Sequence, residues 1–86
     1  MILHDHLGGE APDTTIVVPF HRGLPDAACL ASLMEQVGAP PFEVVCIDNS
    51  RGGIAESARG LGALIESLRP ERARARWVWT EAPERP

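Results

Sequence analysis

The chain has no lysine, only two cysteines, no net positive charge and no long apolar run, and each shortage closes off a class of protein. All eight basic residues are arginine and twelve acids outweigh them, for a formal charge of −4. A general nucleic-acid or anionic-membrane binder needs a net basic footprint, so no nucleic-acid partner is expected and small molecules or proteins fit better. No segment approaches the roughly 20 consecutive apolar residues of a membrane span. Met1 to Gly9 carries His4, Asp5 and His6 where a secretory signal has its apolar centre, so the expectation is a soluble, cytoplasmic chain. Cys29 and Cys46 fall in segments that read as buried helix and buried strand, as small core residues in a reducing compartment. No repeat or low-complexity tract breaks the 86 residues, which suffice for one small domain. A domain of that size buries only about 60 to 65% of the surface its unfolded chain exposes.

What is present centres on Phe42 to Ser50, an apolar run that stops on an acid, an amide and a hydroxyl. Val44, Val45, Cys46 and Ile47 follow one another without alternation, which predicts a parallel strand covered on both faces. Asp48, Asn49 and Ser50 then lie at its carboxyl end, where open α/β sheets enclose their ligands. Upstream, Thr14 to Phe20 is a second β-branched run, ended by Pro19. Pro25 and Asp26 start a helix expected to reach Val37, with Leu30, Leu33, Met34 and Val37 on its buried face. Gly38 stops it, and Pro40-Pro41 leads into the central strand.

Downstream, Arg51-Gly52-Gly53 reads as a loop and Ile54 to Arg69 as a second helix, with Ile54, Ala58, Leu61, Ile65 and Leu68 as its stripe. Gly60 and Gly62 weaken that helix by roughly 1 kcal/mol each relative to alanine. Arg74 to Thr80 alternates with period two and predicts a third strand with Ala75, Trp77 and Trp79 on one side. The expected fold is a three-layer, Rossmann-like β-α-β-α-β domain over residues 14–86 with a small parallel sheet in order 3-2-1. Met1 to Asp13 is expected to be a poorly ordered lead-in, and Glu81 to Pro86 a loop.

Three pieces in order carry a resemblance: Ile16-Val17-Val18-Pro19-Phe20-His21-Arg22, Ala28-Cys29-Leu30-Ala31-Ser32-Leu33, and Phe42-Glu43-Val44-Val45-Cys46-Ile47-Asp48-Asn49-Ser50. Together they resemble the opening of a family 2 type glycosyltransferase of the GT-A fold, and Trp79 to Pro86 is similar to that family's third strand and the loop after it. The resemblance spans about Thr15 to Pro86. It implies that Pro19, Phe20 and His21 line one wall of a nucleotide pocket, and that Asp48 accepts a hydrogen bond from the base of a sugar nucleotide, typically uracil. Asn49 and Ser50 would shape the loop near the ribose. A carboxylate suits the base contact because an imide N–H needs a strong acceptor. The chain departs from the family where His21-Arg22 replaces Asn-Arg or Asn-Glu and Ser50 takes a glycine position.

The family also binds Mg²⁺ or Mn²⁺ through an Asp-x-Asp pair on a fourth strand, and no Asp-x-Asp occurs in these 86 residues. The resemblance therefore implies a partial transferase that binds a nucleotide sugar, has no metal cofactor of its own and is inactive alone. The alternative is a non-catalytic α/β interaction module that pairs with another chain through its open sheet edge, as a homodimer or with a complementary C-terminal fragment. Plainer readings of single features stand beside these. Asp48-Asn49-Ser50 also suits a simple turn, His21 a solvated turn residue, and Trp77 and Trp79 a core or interface. His4 and His6 alone are too few to hold a metal ion.

Overall fold

The computed structural model describes residues 1–21, 23–36, 38–49 and 54–82, leaving aside the side chains of Ile54 and Ala55. Their elements run β1 (Ile2–Asp5), β2 (Thr14–Phe20), α1 (Ala27–Met34), β3 (Phe42–Asp48), α2 (Ile54–Ser67), a 3-10 turn (Pro70–Arg72) and β4 (Ala75–Glu81). The three strands expected from sequence pair in parallel, Thr14 with Phe42 through Phe20 with Asp48, and Phe42 with Ala75 through Asp48 with Glu81. The sheet itself is mixed and has four strands in the order β1-β4-β3-β2, so the expected three-stranded 3-2-1 sheet is corrected.

The added strand comes from the segment expected to be a lead-in. β1 lies antiparallel on β4, with a bulge between Ile2 and His4. The Met1 ammonium donates to the Trp79 carbonyl at 2.9 Å, and Trp79 N–H returns a bond to the Met1 carbonyl at 2.8 Å. An Asp5 carboxylate oxygen accepts from Leu7 N–H at 3.1 Å. Gly8 and Gly9 then turn the chain back at positive φ (63° and 88°), a conformation that side-chain-bearing residues rarely adopt. Leu7 is buried, and Glu10 pairs with Arg74 at 3.2 Å.

The second correction concerns layers. Burial alternates strictly along β3 and β4, so the run from Val44 to Ile47 is not covered on both faces. Phe42, Val44, Cys46, Ala75, Trp77 and Trp79 share one core with Leu30 and Met34 of α1 and Ala58, Leu61 and Ile65 of α2. Both helices therefore cover one face, as two right-handed crossovers stepping the same way between adjacent strands require. The domain has two layers instead of three. On the open face, the ladder aligns Ile2, Val78, Val45 and Val17 in one apolar row across all four strands. In the neighbouring row, Arg76 Nε donates to the Glu43 carboxylate opposite it at 2.7 Å.

The helices are close to expectation. Asp26 caps α1, its carboxylate accepting from Ala28 N–H at 3.0 Å. The helix ends at Met34, short of the expected Val37, which lies outside the described residues. Gln36 N–H already bonds the Leu33 carbonyl, a tighter turn that the chain leaves through Gly38 at φ 87°. α2 ends at Ser67, where Arg69 adopts a left-handed φ of 63° before Pro70. A Cβ on Gly60 would meet a Leu24 methyl at 3.7 Å and one on Gly62 a Leu3 methyl at 3.8 Å, both ordinary contacts.

Replacing Gly60 or Gly62 with alanine is therefore expected to raise unfolding free energy by about 0.5 to 1 kcal/mol, measured by urea denaturation. The fully buried Trp77 has no partner for its indole N–H among the described residues. Trp77→Ala should cost about 3 to 5 kcal/mol. Trp77→Phe should cost less than half of that, because it also removes an unpaired buried donor, and the same unfolding curves test the ratio.

Candidate functional site

The carboxyl ends of β2, β3 and β4 are tied together by backbone bonds. Asn49 N–H donates to the Phe20 carbonyl at 2.8 Å, and Ala82 N–H to the Asp48 carbonyl at 2.9 Å. Between them Asp48 stands on the helix-covered face, in the parity of Val44 and Cys46, and is only 1% exposed. A carboxylate that far from water needs hydrogen-bond donors. Trp79 supplies one, its indole N–H donating to Asp48 Oδ2 at 3.4 Å, and this is not the only interaction Asp48 makes.

Alternation sorts the sequence-predicted residues. Phe20 is the register partner of Asp48, lies on the same face and is buried. Pro19 pairs with Ile47 and is exposed on the opposite, open face, so it does not stand beside Asp48 as a wall of the same pocket. His21 and Asn49 are exposed just beyond the strand ends, where His21 Nδ1–H donates to the Asn49 carbonyl at 3.3 Å. Ser50 lies outside the described residues, as do Arg22 and the Arg51-Gly52-Gly53 segment. The structure thus brings Phe20, His21, Asp48 and Asn49 to one end of the sheet and leaves Pro19 on the other side.

Trp79 lies in the core, one of the two places expected for it, and its bond to Asp48 is what sequence reasoning missed. Its signal was the shared parity of the two strands: Trp79 stands opposite Cys46, two residues before Asp48, which sets the indole diagonally across from the carboxylate. Cys46, also fully buried, has its thiol pushed up to about 11, first by desolvation and then by the nearby Cys29 thiol, so it stays protonated at neutral pH.

Two other features lie away from this end. A groove of about 500 Å³ opens between α1 and the amino ends of β2 and β3, lined by Asp13, Thr14, Ile16, Leu33, Gln36 and Phe42 among others. Phe42 and Asp48 are six steps apart along β3, about 20 Å at the strand rise, so the groove and the carboxylate are separate places. On β1 the His4 ring stacks on that of His6 with centroids 6.0 Å apart. Among the described residues no group of three or more His, Cys, Asp or Glu is placed to hold a metal ion.

Compared with protein-family models, with curated proteins and with solved structures, the chain matches none of them.

Removing the Asp48 carboxylate leaves the Trp79 N–H buried and unpaired, so Asp48→Ala should destabilise the fold by about 1 to 3 kcal/mol. Trp79→Phe deletes the other partner. In a double-mutant cycle followed by urea unfolding, the two changes should show a coupling of at least about 0.5 kcal/mol, since residues in contact are not additive.

Proposed function

We propose that the chain is the nucleotide-binding part of a family 2 type glycosyltransferase, holding a nucleotide-sugar donor, UDP-linked, at the carboxyl ends of β2 and β3. The observation that carries this reading is the seat of Asp48: a carboxylate on the last residue of the central strand, oriented by the Trp79 indole, with Phe20 beside it in register. This is the end of a parallel sheet at which ligands collect. In this reading Asp48 accepts the imide N–H of the base, Phe20 forms the adjoining wall, and His21 and Asn49 face the ribose. The Trp79 indole already fixes one oxygen of this carboxylate, which limits the freedom it would lose on meeting a base.

The Mg²⁺ or Mn²⁺ that such a transferase uses does not fit the residues described, because neither an Asp-x-Asp pair nor any group of three ligands is among them. No transfer step is assigned to these 86 residues; their part is to bind and orient the donor, in a cytoplasmic setting. No described helix is long and apolar enough to cross a membrane. A second reading, the non-catalytic interaction module, is favoured by the place of β2 at the edge of the sheet and requires nothing of the Asp48 carboxylate.

The test is titration of UDP and a UDP-hexose, with ADP and GDP as comparisons, followed by amide shifts. UDP should move the Asp48 and Asn49 amides more than either purine nucleotide does. Asp48→Ala, confirmed folded by circular dichroism, should lose at least about tenfold in affinity, a change worth about 1.4 kcal/mol. Purine and uracil nucleotides bound alike, or UDP binding untouched by the substitution, would overturn the reading.

A further inference from the structure

The two edges of the sheet are treated differently. β1 closes the β4 side with a strand that carries His4 and Asp5, whereas β2 ends the sheet on the other side. Because Asn49 N–H bonds the Phe20 carbonyl, Phe20 turns its backbone groups toward β3, and successive residues of a strand alternate in this respect. Ile16 and Val18 therefore serve β3 as well, while Thr15, Val17 and Pro19 turn theirs outward. Pro19 agrees with this assignment, since a proline within a strand is tolerated where its missing N–H would have faced away from the ladder. The outward row thus holds a donor and an acceptor at Thr15, a donor and an acceptor at Val17, and an acceptor at Pro19.

That row is self-complementary. Set antiparallel to a copy of itself about Val17, it lets the two Val17 residues exchange both of their bonds. At each end Thr15 N–H meets the Pro19 carbonyl of the other copy, and only the Thr15 carbonyl is left to water. On the helix-covered side, Ile16 comes opposite Val18 of the copy; both are now only half-buried, next to the groove that Ile16 lines with Leu33. On the open side, the row Ile2, Val78, Val45 and Val17 runs on into the same row of the copy. Charge does not oppose the contact locally. Thr14 to Phe20 carries none, so no like charges face each other even though each chain is formally −4. Edges without charge or bulge are the ones that pair, and Val17 at this edge is 54% exposed.

We propose that the chain forms a two-fold dimer by antiparallel pairing of β2 with β2 of a second copy, centred on Val17, so that one sheet runs through both. The dimer does not depend on nucleotide binding, because it uses the outward backbone groups of Thr15, Val17 and Pro19 whereas Phe20 turns its own toward β3. The decisive variant is Val17→Pro, which deletes the central outward N–H but no bond within the monomer. Val45→Thr, on the open face of β3, is the comparison, since it would weaken a face-to-face dimer and leave an edge dimer intact.

By sedimentation equilibrium at micromolar concentration the wild type should be dimeric. Val17→Pro should raise the dissociation constant at least about tenfold with unchanged circular dichroism, and Val45→Thr should not change it. In the wild-type dimer the Thr15 and Val17 amides should be protected from hydrogen exchange, which decides the matter even if Val17→Pro does not fold. A monomeric wild type, a dimer that Val45→Thr disrupts, or a dimer whose Thr15 and Val17 amides exchange freely would overturn the proposal.

Discussion

Both crossovers in this fold step the same way, from β2 to β3 and from β3 to β4, and a right-handed connection then has only one side on which to place its helix. Everything else follows from that constraint. α1 and α2 share a face, so one parity of each central strand meets helices and the other meets water. The core is a single layer in which Trp77, Leu30, Met34, Leu61 and Ile65 are fully buried against one another and against Val44 and Cys46. The opposite face keeps a half-exposed, β-branched row beside the Arg76–Glu43 pair.

The same constraint fixes the chemistry at the sheet's carboxyl end. Since the last residue of β3 falls in the helix-facing parity, its carboxylate is carried out of water with Cys46 and Val44, and it needs donors. Trp79 can act as one only because parallel register sets it diagonally across from Asp48. The structural role of this buried carboxylate and the recognition role proposed for it are separable, because one is read in unfolding curves and the other in ligand titrations.

At the edges, the decisive fact is where the first residues of the chain go. Met1 to Asp5 pairs with β4, across a bulge between Ile2 and His4, and not with β2, which stays at the other margin of the sheet. A sheet grown by successive crossovers in one direction always leaves its first strand at the margin. Here that strand has a β-branched, uncharged sequence suited to the interior of a sheet.

Much of this was legible in the residues. The Thr14–Phe20 strand was read with its observed bounds and the central strand from its first residue, since β-branched runs ended by proline or by an Asp-Asn pair allow little else. The helical stripes of Leu30 with Met34 and of Ala58, Leu61 and Ile65 came from spacing, and so did the parity of Ala75, Trp77 and Trp79. The convergence of Phe20, His21, Asp48 and Asn49 was implied once the strands were taken as parallel. Three things were not legible. Ile2–Asp5 is too short and too polar to announce itself, and becomes a strand only because β4 offers it an edge. The apolar run from Val44 to Ile47 reads as covered on both faces, and the strict alternation of burial along β3 shows that one stays open. The Asp48–Trp79 bond joins residues 31 apart, a contact that sequence could not specify before the register of β3 on β4 was known. Local pattern determined which residues form strands and helices, because propensity and periodicity act over a few neighbours. Faces, edges and the partner of the buried acid were decided by tertiary structure, because they depend on how whole elements are ordered across the sheet.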